Sequence, residues 1–157
     1  MSSLDFVGKF RCSLDNKNRV NIPSAIRKVF APEAADTIVF TPGLEGNNLY
    51  AYPLNEWKRL TRGLRSLNPF DTTASDFIRN FAGDAHNAKM DGQGRIMLPE
   101  YVLTTGKIDK EILIIGALTK LEIWNPEVYE AYSKKQTKSL ADLAQQIKFA
   151  DSVFEDK

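Results

Sequence analysis

The chain contains a single cysteine and a single histidine among its 157 residues, which limits the chemistry open to it. Cys12 has no second cysteine with which to form a disulfide. Cys12 and His86 together fall short of the three or four ligands that a protein zinc site requires. The sequence also lacks a phosphate-binding loop, a dinucleotide-binding glycine fingerprint and a nucleophile elbow. We therefore expect no metal, no cofactor and no enzymatic activity.

Long hydrophobic runs are absent as well. No segment resembles a signal peptide, and none is long and apolar enough to cross a membrane. The apolar share of 43% and the charged share of 26% are ordinary for a soluble domain. A chain of 157 residues is long enough to bury a substantial core. We expect a cytoplasmic protein that has no membrane partner.

The chain has almost no net charge, but its charges are unevenly placed. The formal net charge at pH 7 is +1. Residues 1–30 contain six cations and two carboxylates, whereas residues 140–157 contain two cations and four carboxylates. Because phosphates attract lysine and arginine, the N-terminal segment is the part best suited to bind nucleic acid. A solvated strand face with scattered cations would explain the same six residues, which are Lys9, Arg11, Lys17, Arg19, Arg27 and Lys28.

A nine-residue pattern occurs twice in the chain. Residues 15–23 read DNKNRVNIP, and residues 91–99 read DGQGRIMLP, 76 positions later. Each copy has an aspartate, an arginine four positions on, a β-branched residue, and then an aliphatic residue followed by proline. Each copy also follows a short strand-like run, so the pattern predicts β-hairpins over residues 6–22 and 86–98. The residues expected to tolerate a positive φ in these turns are Asn18, Gly92 and Gly94.

The aspartate and the arginine of each copy can stabilise the turn without having any further role. Asp15 and Asp91 can accept hydrogen bonds from backbone N–H groups two residues on, and Arg19 and Arg95 can pair with their carboxylates. Such pairing keeps both carboxylates ionised, which argues against a pair of catalytic acids. A surface ion pair contributes only about 0–1 kcal/mol, so stability alone explains the repetition poorly. We favour a contact surface formed by two equivalent arginine-bearing turns.

The rest of the sequence predicts a mixture of strands and helices around two similar halves. Each half carries one copy of the pattern, and we expect residues 1–82 and 83–157 to interlock as one structural unit. Further strands are expected at residues 37–40, 48–52, 111–116 and 120–124. Helices are expected after Pro23, over 56–67 behind an Asn55 cap, over 73–81 behind an Asp71/Thr72 cap, after Pro99 and after Asn125.

An amphipathic helix is expected from Ser139 onward. Its apolar residues recur at helical spacing and form one stripe: Leu140, Leu143, Ala144, Ile147 and Phe154. Such a stripe needs a surface to pack against. That surface can belong to the same domain or to a neighbouring subunit, and we favour the neighbouring subunit.

The two Asp-x-x-x-Arg patterns resemble those of the MraZ family of bacterial transcription regulators. Segments at residues 22–27, 41–57, 81–85 and 121–124 extend the similarity over nearly the whole chain. The resemblance implies an α+β, β-rich fold, the double-split (swapped-hairpin) β-barrel of the AbrB/SpoVT-like superfamily, made from two internal repeats with added helices. Asn18 stands where the family usually has glycine. Residues 99–103 lack an arginine that matches Arg27, which predicts a weaker contact by the second copy.

The resemblance also implies a sequence-specific DNA-binding regulator of the promoter of the cell-division and cell-wall gene cluster. Its subunits are expected to form a closed homo-oligomeric ring that binds direct repeats in double-stranded DNA, in the cytoplasm and at the nucleoid. Arg19 is expected to read guanine in the major groove, and Arg95 to make the second contact, while Asp15 and Asp91 hold them in place. Gln93 is expected to share the second contact with Arg95, and Lys17 and Asn18 to assist at bases or phosphates. Phosphate contacts are expected from Lys9, Arg11, Arg27 and Lys28.

Two other functions are compatible with the same residues. A ring-forming interaction module could use the cationic turns to bind an acidic protein, and a preference for one duplex sequence would distinguish the two functions. An antitoxin-type regulator that shares the barrel is less favoured. Such chains usually carry one copy of the hairpin and a disordered toxin-binding tail.

Overall fold

The computed structural model describes residues 5–147, which form eight β-strands and six α-helices. The strands are β1 (Lys9–Ser13), β2 (Arg19–Asn21), β3 (Thr37–Pro42), β4 (Leu49–Pro53), β5 (His86–Lys89), β6 (Arg95–Met97), β7 (Glu111–Ala117) and β8 (Lys120–Trp124). The helices are α1 (Ser24–Arg27), α2 (Leu54–Leu64), α3 (Thr72–Gly83), α4 (Glu100–Thr105), α5 (Pro126–Lys135) and α6 (Leu140–Gln146). The protein is therefore α+β, as the sequence predicts.

The strands form one large sheet and one small ribbon. The large sheet has six strands in the order β1-β7-β8-β4-β3-β5, and every neighbouring pair is antiparallel. The ribbon consists of β2 and β6, which are also antiparallel. β2 comes from the first half of the chain and β6 from the second, so the ribbon joins the two halves.

The strands that flank each repeated pattern do not pair with each other, which corrects the predicted hairpins over residues 6–22 and 86–98. β1 pairs with β7, and β5 pairs with β3, while β2 and β6 pair together. Each turn therefore connects the large sheet to the ribbon. The turn chemistry was recognised correctly in the sequence, but the strand partners lie far away along the chain.

The main core lies where the ribbon packs on the large sheet. Val20 and Ile96, at the centres of β2 and β6, are buried and belong to one hydrophobic cluster with Ile38, Ile112 and Ile114. Burial of such a side chain contributes about 1.5–3 kcal/mol. A ribbon of two three-residue strands is not stable alone, so this packing is what holds it in place.

A smaller aromatic cluster lies where α2 and α3 pack on β4. The two helices cover strand residues that would otherwise expose aromatic rings to water. The predictions of helices at 56–67 and 73–81 are confirmed, with bounds shifted by one to three residues. The cluster consists of Tyr50, Tyr52, Phe81, Trp57, Leu60 and Leu64.

Two of the three predicted helix caps are present. Asp71 accepts hydrogen bonds from the second and third backbone N–H groups of α3. Asn125 accepts from the equivalent two groups of α5, which has Pro126 as its first residue. The predicted Asn55 cap is wrong, because α2 begins at Leu54, directly after β4. Asn55 therefore lies inside the first turn of the helix.

The last described helix, α6, leaves its apolar side uncovered. Ser139 caps it in a capping box with Asp142. Leu140 is 86% exposed, and Ile147, just after the helix, is exposed as well. Phe154, the last residue of the predicted stripe, lies outside the described residues.

None of the helices within residues 5–147 has the length and apolar composition that a transmembrane span requires.

The register of the ribbon predicts a large and a small loss of stability for two adjacent substitutions in β6. Ile96→Ala removes a buried side chain and should lower the free energy of unfolding by about 2–5 kcal/mol. Met97→Ala changes a side chain that is 60% exposed and should change it by less than about 0.5 kcal/mol. Urea unfolding of both variants measures the difference. A larger effect at Met97 would contradict this register, because a slip by one residue exchanges the two faces.

Candidate nucleic-acid interface

The Asp15 side chain organises the first turn. Its Oδ1 accepts hydrogen bonds from the backbone N–H groups of Lys17 and Arg19, both at 2.9 Å. Its Oδ2 accepts one from Arg19 Nε at 2.8 Å. The backbone closes the same turn, since the Asp15 N–H donates to the Arg19 carbonyl at 2.9 Å and the Asn18 N–H donates to the Asp15 carbonyl at 3.1 Å. One carboxylate therefore fixes both the path of the backbone and the base of the arginine side chain.

The second turn repeats each of these bonds. Asp91 Oδ1 accepts from the N–H groups of Gln93 and Arg95 at 2.9 Å, and Oδ2 accepts from Arg95 Nε at 2.9 Å. The Asp91 N–H donates to the Arg95 carbonyl at 2.9 Å, and the Gly94 N–H donates to the Asp91 carbonyl at 3.0 Å. The two turns are thus equivalent in structure as well as in sequence.

Both aspartates are more acidic than an ordinary aspartate. The backbone N–H of Arg19 is the largest cause that lowers the pKa of Asp15 from 3.8 to about 2, and the Lys17 N–H and the Arg19 guanidinium act in the same direction. The equivalent groups of Arg95 and Gln93 lower the pKa of Asp91. Both carboxylates are therefore ionised at neutral pH and keep their arginines paired.

The residue before each arginine has a left-handed backbone conformation. Asn18 has a φ of 59°, and Gly94, the equivalent residue, has a φ of 78°. Asn enters this region more readily than other non-glycine residues, so it preserves the turn at position 18. Gly92, which was also expected to tolerate a positive φ, does not adopt one. The left-handed conformation occurs only at the fourth residue of the pattern.

Two backbone hydrogen bonds join the turns to each other. The Ile22 N–H donates to the Gly94 carbonyl at 2.9 Å, and the Leu98 N–H donates to the Asn18 carbonyl at 2.9 Å. Each bond links one turn to the residue that follows the opposite strand of the ribbon. The turns therefore lie at the two ends of the ribbon, related by a pseudo-twofold axis, and neither turn is complete without the other half of the chain.

The ribbon places four side chains on the side that faces away from the core, and we call this side the outer face. Arg19 lies opposite Met97, and Asn21 lies opposite Arg95. Directly opposite residues share a face of a sheet, as do residues two apart in one strand. Because the intervening residues of both strands are buried, Arg19, Asn21, Arg95 and Met97 form one exposed patch.

The carboxylates restrain the two arginines of the outer face but bind only part of each guanidinium group. Their side chains are 29% exposed for Arg19 and 30% exposed for Arg95, and each uses Nε for its ion pair. Among residues 5–147, no group accepts a hydrogen bond from the two terminal nitrogens of either guanidinium. Those nitrogens form the planar fork that suits a pair of acceptors.

Arg27 lies beside the second turn, although it follows the first copy of the pattern. Its Nε donates to the Ile22 carbonyl at 3.0 Å. A Cβ built on Gly94 would lie 2.8 Å from its guanidinium carbon, so the glycine makes room for this side chain. The equivalent residue of the second half, Leu103, is buried. The expectation of a weaker second copy rested on that missing arginine, and the position of Arg27 removes this reason.

The other predicted DNA contacts are spread more widely. Arg11 is exposed in the middle of β1. Lys9 lies six residues before Asp15, about 20 Å away along an extended strand. Its Nζ lies 5.2 Å from the centre of the Tyr129 ring. Three exposed residues lie at the turns or at the end of α1, namely Lys17, Gln93 and Lys28.

Cys12 and His86 are the two residues of the sequence that were considered as possible zinc ligands. Cys12 is half-buried in β1, and this burial raises the pKa of its thiol. His86 Nδ1 lies 3.2 Å from the Tyr101 hydroxyl, and burial lowers the pKa of the imidazole. In the part of the chain that the structure describes, no three His, Cys, Asp or Glu side chains form a group that could hold a metal ion.

Sequence reasoning missed two residues of the outer face. Asn21 and Met97 are exposed beside the arginines, two positions after them in each copy. The alternation of a strand could have identified them, because residues two apart share a face. Their proximity to the arginine of the opposite copy could not be predicted, since it depends on the pairing of β2 with β6.

A protein-family model described as "MraZ protein, putative antitoxin-like" matches the chain twice, at residues 6–80 and 81–149. Each match contains one of the two Asp-x-x-x-Arg turns, and together they cover most of the sequence. The chain belongs to the MraZ family. The family membership expected from the sequence is confirmed.

Relatives in the MraZ family extend over nearly the full length of the chain. A protein named "Transcriptional regulator MraZ" from Clostridium acetobutylicum is 39% identical over 129 residues, which cover 82% of this chain and 87% of the relative. One from Natranaerobius thermophilus is 37% identical over 142 residues, or 90% and 96% of the two chains. One from Christiangramia forsetii is 32% identical over 144 residues, or 92% and 93%. All three are named as transcriptional regulators.

The low pKa of Asp15 predicts how an amide at this position alters stability. Asp15→Asn should keep the Oδ1 bonds of the turn, but its amide nitrogen cannot accept from Arg19 Nε. Because the pKa falls from 3.8 to about 2 on folding, the carboxylate stabilises the protein above about pH 4 and loses this effect as the pH falls through 2. Urea unfolding should show a constant deficit for the variant above about pH 4 that shrinks toward pH 2. A deficit that stays the same at every pH would contradict the ion pair.

Proposed function

We propose that the chain is a sequence-specific DNA-binding transcriptional regulator that reads promoter DNA with its two Asp-x-x-x-Arg turns. The repeated geometry of the arginines is the observation that supports this most. In each turn the carboxylate holds Nε, while the terminal nitrogens have no acceptor among residues 5–147. A side chain that is already restrained loses less conformational entropy when its terminal nitrogens bind a ligand.

Arg19 reads a guanine in the major groove. Its two terminal nitrogens donate to O6 and N7, which is the commonest base-specific contact that arginine makes. Arg95 reads a second guanine in the same way. Diagonal positions of an antiparallel pair lie about 7–8 Å apart, which is close to the rise of two base pairs. The major groove is about 12 Å wide and admits a two-stranded ribbon of this kind.

The surrounding polar residues position the ribbon on the duplex. Asp15 and Asp91 hold the arginines and do not touch DNA. Lys17, Asn18 and Gln93 contact bases or phosphates at the two ends of the ribbon. Contacts with flanking phosphates come from Arg27, Lys28, Arg11 and Lys9. These contacts carry no sequence information, but they supply affinity that falls as the salt concentration rises.

The scaffold that presents the ribbon is, in this proposal, the double-split (swapped-hairpin) β-barrel of the AbrB-like proteins. Residues 1–82 and 83–157 are its two interlocked repeats. The pairing of β2 with β6 supports this arrangement, as do the two backbone bonds between the turns. The interlocking makes the outer face a joint product of both repeats.

Several subunits act together in the proposed assembly. The net charge is only +1, so a single ribbon should bind DNA weakly. A closed homo-oligomeric ring that engages direct repeats spaced by about one helical turn gains affinity by multivalency. The exposed apolar side of α6 supports packing on a neighbouring subunit. The target proposed from the family resemblance is the promoter of the cell-division and cell-wall gene cluster, bound in the cytoplasm at the nucleoid.

Substitution of Arg19 tests the base contact directly. Arg19→Ala should weaken binding to the preferred duplex by about 1–3 kcal/mol for each engaged subunit, because the bidentate contact is lost. Arg19→Lys should lose most of the same preference, since lysine keeps the charge but lacks the planar fork. Gel-shift titrations at fixed salt, on the upstream promoter and on a scrambled duplex, measure both effects.

Arg79→Ala is the matched control for these titrations. It also removes one positive charge, from an α3 side chain that is 69% exposed and paired with Asp76. It should change affinity little and leave sequence preference intact. Equal losses for Arg19→Ala and Arg79→Ala would contradict the base contact. Binding without any preference among duplexes, together with tight salt-dependent binding of an acidic protein, would favour an interaction module instead.

Two substitutions in α6 test the subunit contact. Leu140→Asp places a charge on the exposed apolar side, at the first helical position, where an acidic residue still favours the helix. It should lower the mass measured by light scattering, because a charge in a subunit contact is costly to bury. Gln145→Asp adds the same charge on the opposite side and should leave the mass unchanged. Two unchanged masses would exclude this side of α6 from the contact.

A further inference from the structure

The two outer-face residues that are not arginines differ in chemistry. Asn21 and Met97 occupy the same position of the two copies, yet one is an amide and the other a thioether. Both are exposed, and Met97 is among the most exposed large apolar residues of the described chain. No side chain or backbone group among residues 5–147 forms a hydrogen bond with the Asn21 amide.

The difference contrasts with the strict equivalence of the rest of the ribbon. The aspartates and arginines are identical in the two copies, and the buried positions at 20 and 96 are both β-branched. Packing accounts for the buried pair, because both residues lie over the same core. The hydrogen bonds of the two turns account for the aspartates and arginines. Packing does not require that Asn21 and Met97 differ, since neither is buried. Core packing therefore leaves both positions unconstrained, and their difference gives the outer face two chemically distinct ends.

The register brings each of these residues next to the arginine of the other copy. Asn21 lies directly opposite Arg95, and Met97 lies directly opposite Arg19. Directly opposite side chains start about 4.5–5.5 Å apart, and the two pairs follow each other by about 7 Å along the ribbon. The outer face thus presents two adjacent pairs, one wholly polar and one with an apolar member. A ligand that binds both arginines therefore also lies against Asn21 and Met97.

We propose that Asn21 and Met97 are base-reading residues, so that the ribbon recognises an asymmetric DNA sequence. The inference rests on the proposed function and extends it to two residues that lie outside the Asp-x-x-x-Arg turns. The NH2 group of the Asn21 amide can donate to N7 of adenine, and its carbonyl oxygen can accept from the N6 amino group. The Met97 thioether is apolar and fits the C5-methyl group of thymine, as apolar side chains do in the major groove. Each residue thus extends the recognised sequence by one base, next to a guanine that an arginine contacts.

Modified bases test each contact one atom at a time. The preferred duplex of the unsubstituted protein is first defined by measuring affinity for all single-base-pair changes. Discrimination at one adenine and one thymine beside the guanines should be about 5- to 150-fold, the usual range for a mismatched base pair. Replacing that adenine by 7-deazaadenine removes N7, and replacing that thymine by deoxyuridine removes only the methyl group. Both replacements should weaken binding of the unsubstituted protein.

The variants should each become insensitive to one replacement. Asn21→Ala should lose discrimination at the adenine position and ignore 7-deazaadenine, yet still respond to deoxyuridine. Met97→Ala should lose discrimination at the thymine position and ignore deoxyuridine, yet still respond to 7-deazaadenine. Both variants should keep their preference for the guanines. Circular dichroism and light scattering confirm that fold and assembly are unchanged, as expected for exposed positions.

Failure of this inference can be distinguished from failure of the proposed function. If the unsubstituted protein prefers no duplex, both are overturned. If it has a preference and the variants keep every part of it, the arginine contacts stand and the roles of Asn21 and Met97 are overturned. A loss spread evenly over all base positions, or a change in mass for Met97→Ala, would also overturn the inference and would assign the residue to phosphate positioning or to a subunit contact.

Discussion

The structure depends on how one aspartate carboxylate closes each turn. Asp15 satisfies two backbone N–H groups with one oxygen and the Arg19 guanidinium with the other. A turn closed in this way has a fixed exit direction, and β2 begins at the arginine itself. The carboxylate therefore sets the start of the ribbon and the base of the Arg19 side chain together. The ion pair matters mainly because it positions the Arg19 side chain, since an exposed ion pair contributes little stability.

The pairing of β2 with β6 makes each turn depend on the other half of the chain. Each strand has only three residues, and its inner side is completed by one central aliphatic residue. Neither half could hold such a short strand against the large sheet alone. The reciprocal bonds from Ile22 to Gly94 and from Leu98 to Asn18 extend the dependence into the turns. The two arginines are consequently held at a fixed separation by backbone structure.

Local chemistry was predictable from the sequence, and strand partners were not. The Asp71 and Asn125 caps, the left-handed Asn18 and the Asp–Arg pairs each follow from residues within four positions. The pairing of β1 with β7 joins residues about a hundred positions apart, and alternation within one strand cannot specify its partner. Asn55 has the chemistry of a cap, but the helix begins earlier because β4 ends at Pro53. The outer face was therefore predictable only in part. Strand alternation indicates that Asn21 is exposed, but only the pairing of β2 with β6 places it beside Arg95.

The two copies agree at the buried positions of the ribbon and at the aspartates and arginines of the turns, and they differ at other exposed positions. The buried positions keep the same kind of side chain in both copies, whereas Lys17 matches Gln93, and Asn21 matches Met97. A symmetric scaffold thus carries an asymmetric surface. In the proposed ring, identical subunits follow one another in the same direction, so their ribbons meet DNA in one orientation. An asymmetric ribbon repeated in one orientation requires direct repeats, whereas a symmetric one would bind inverted sites equally well. The proposed operator geometry therefore follows from the way the two copies differ.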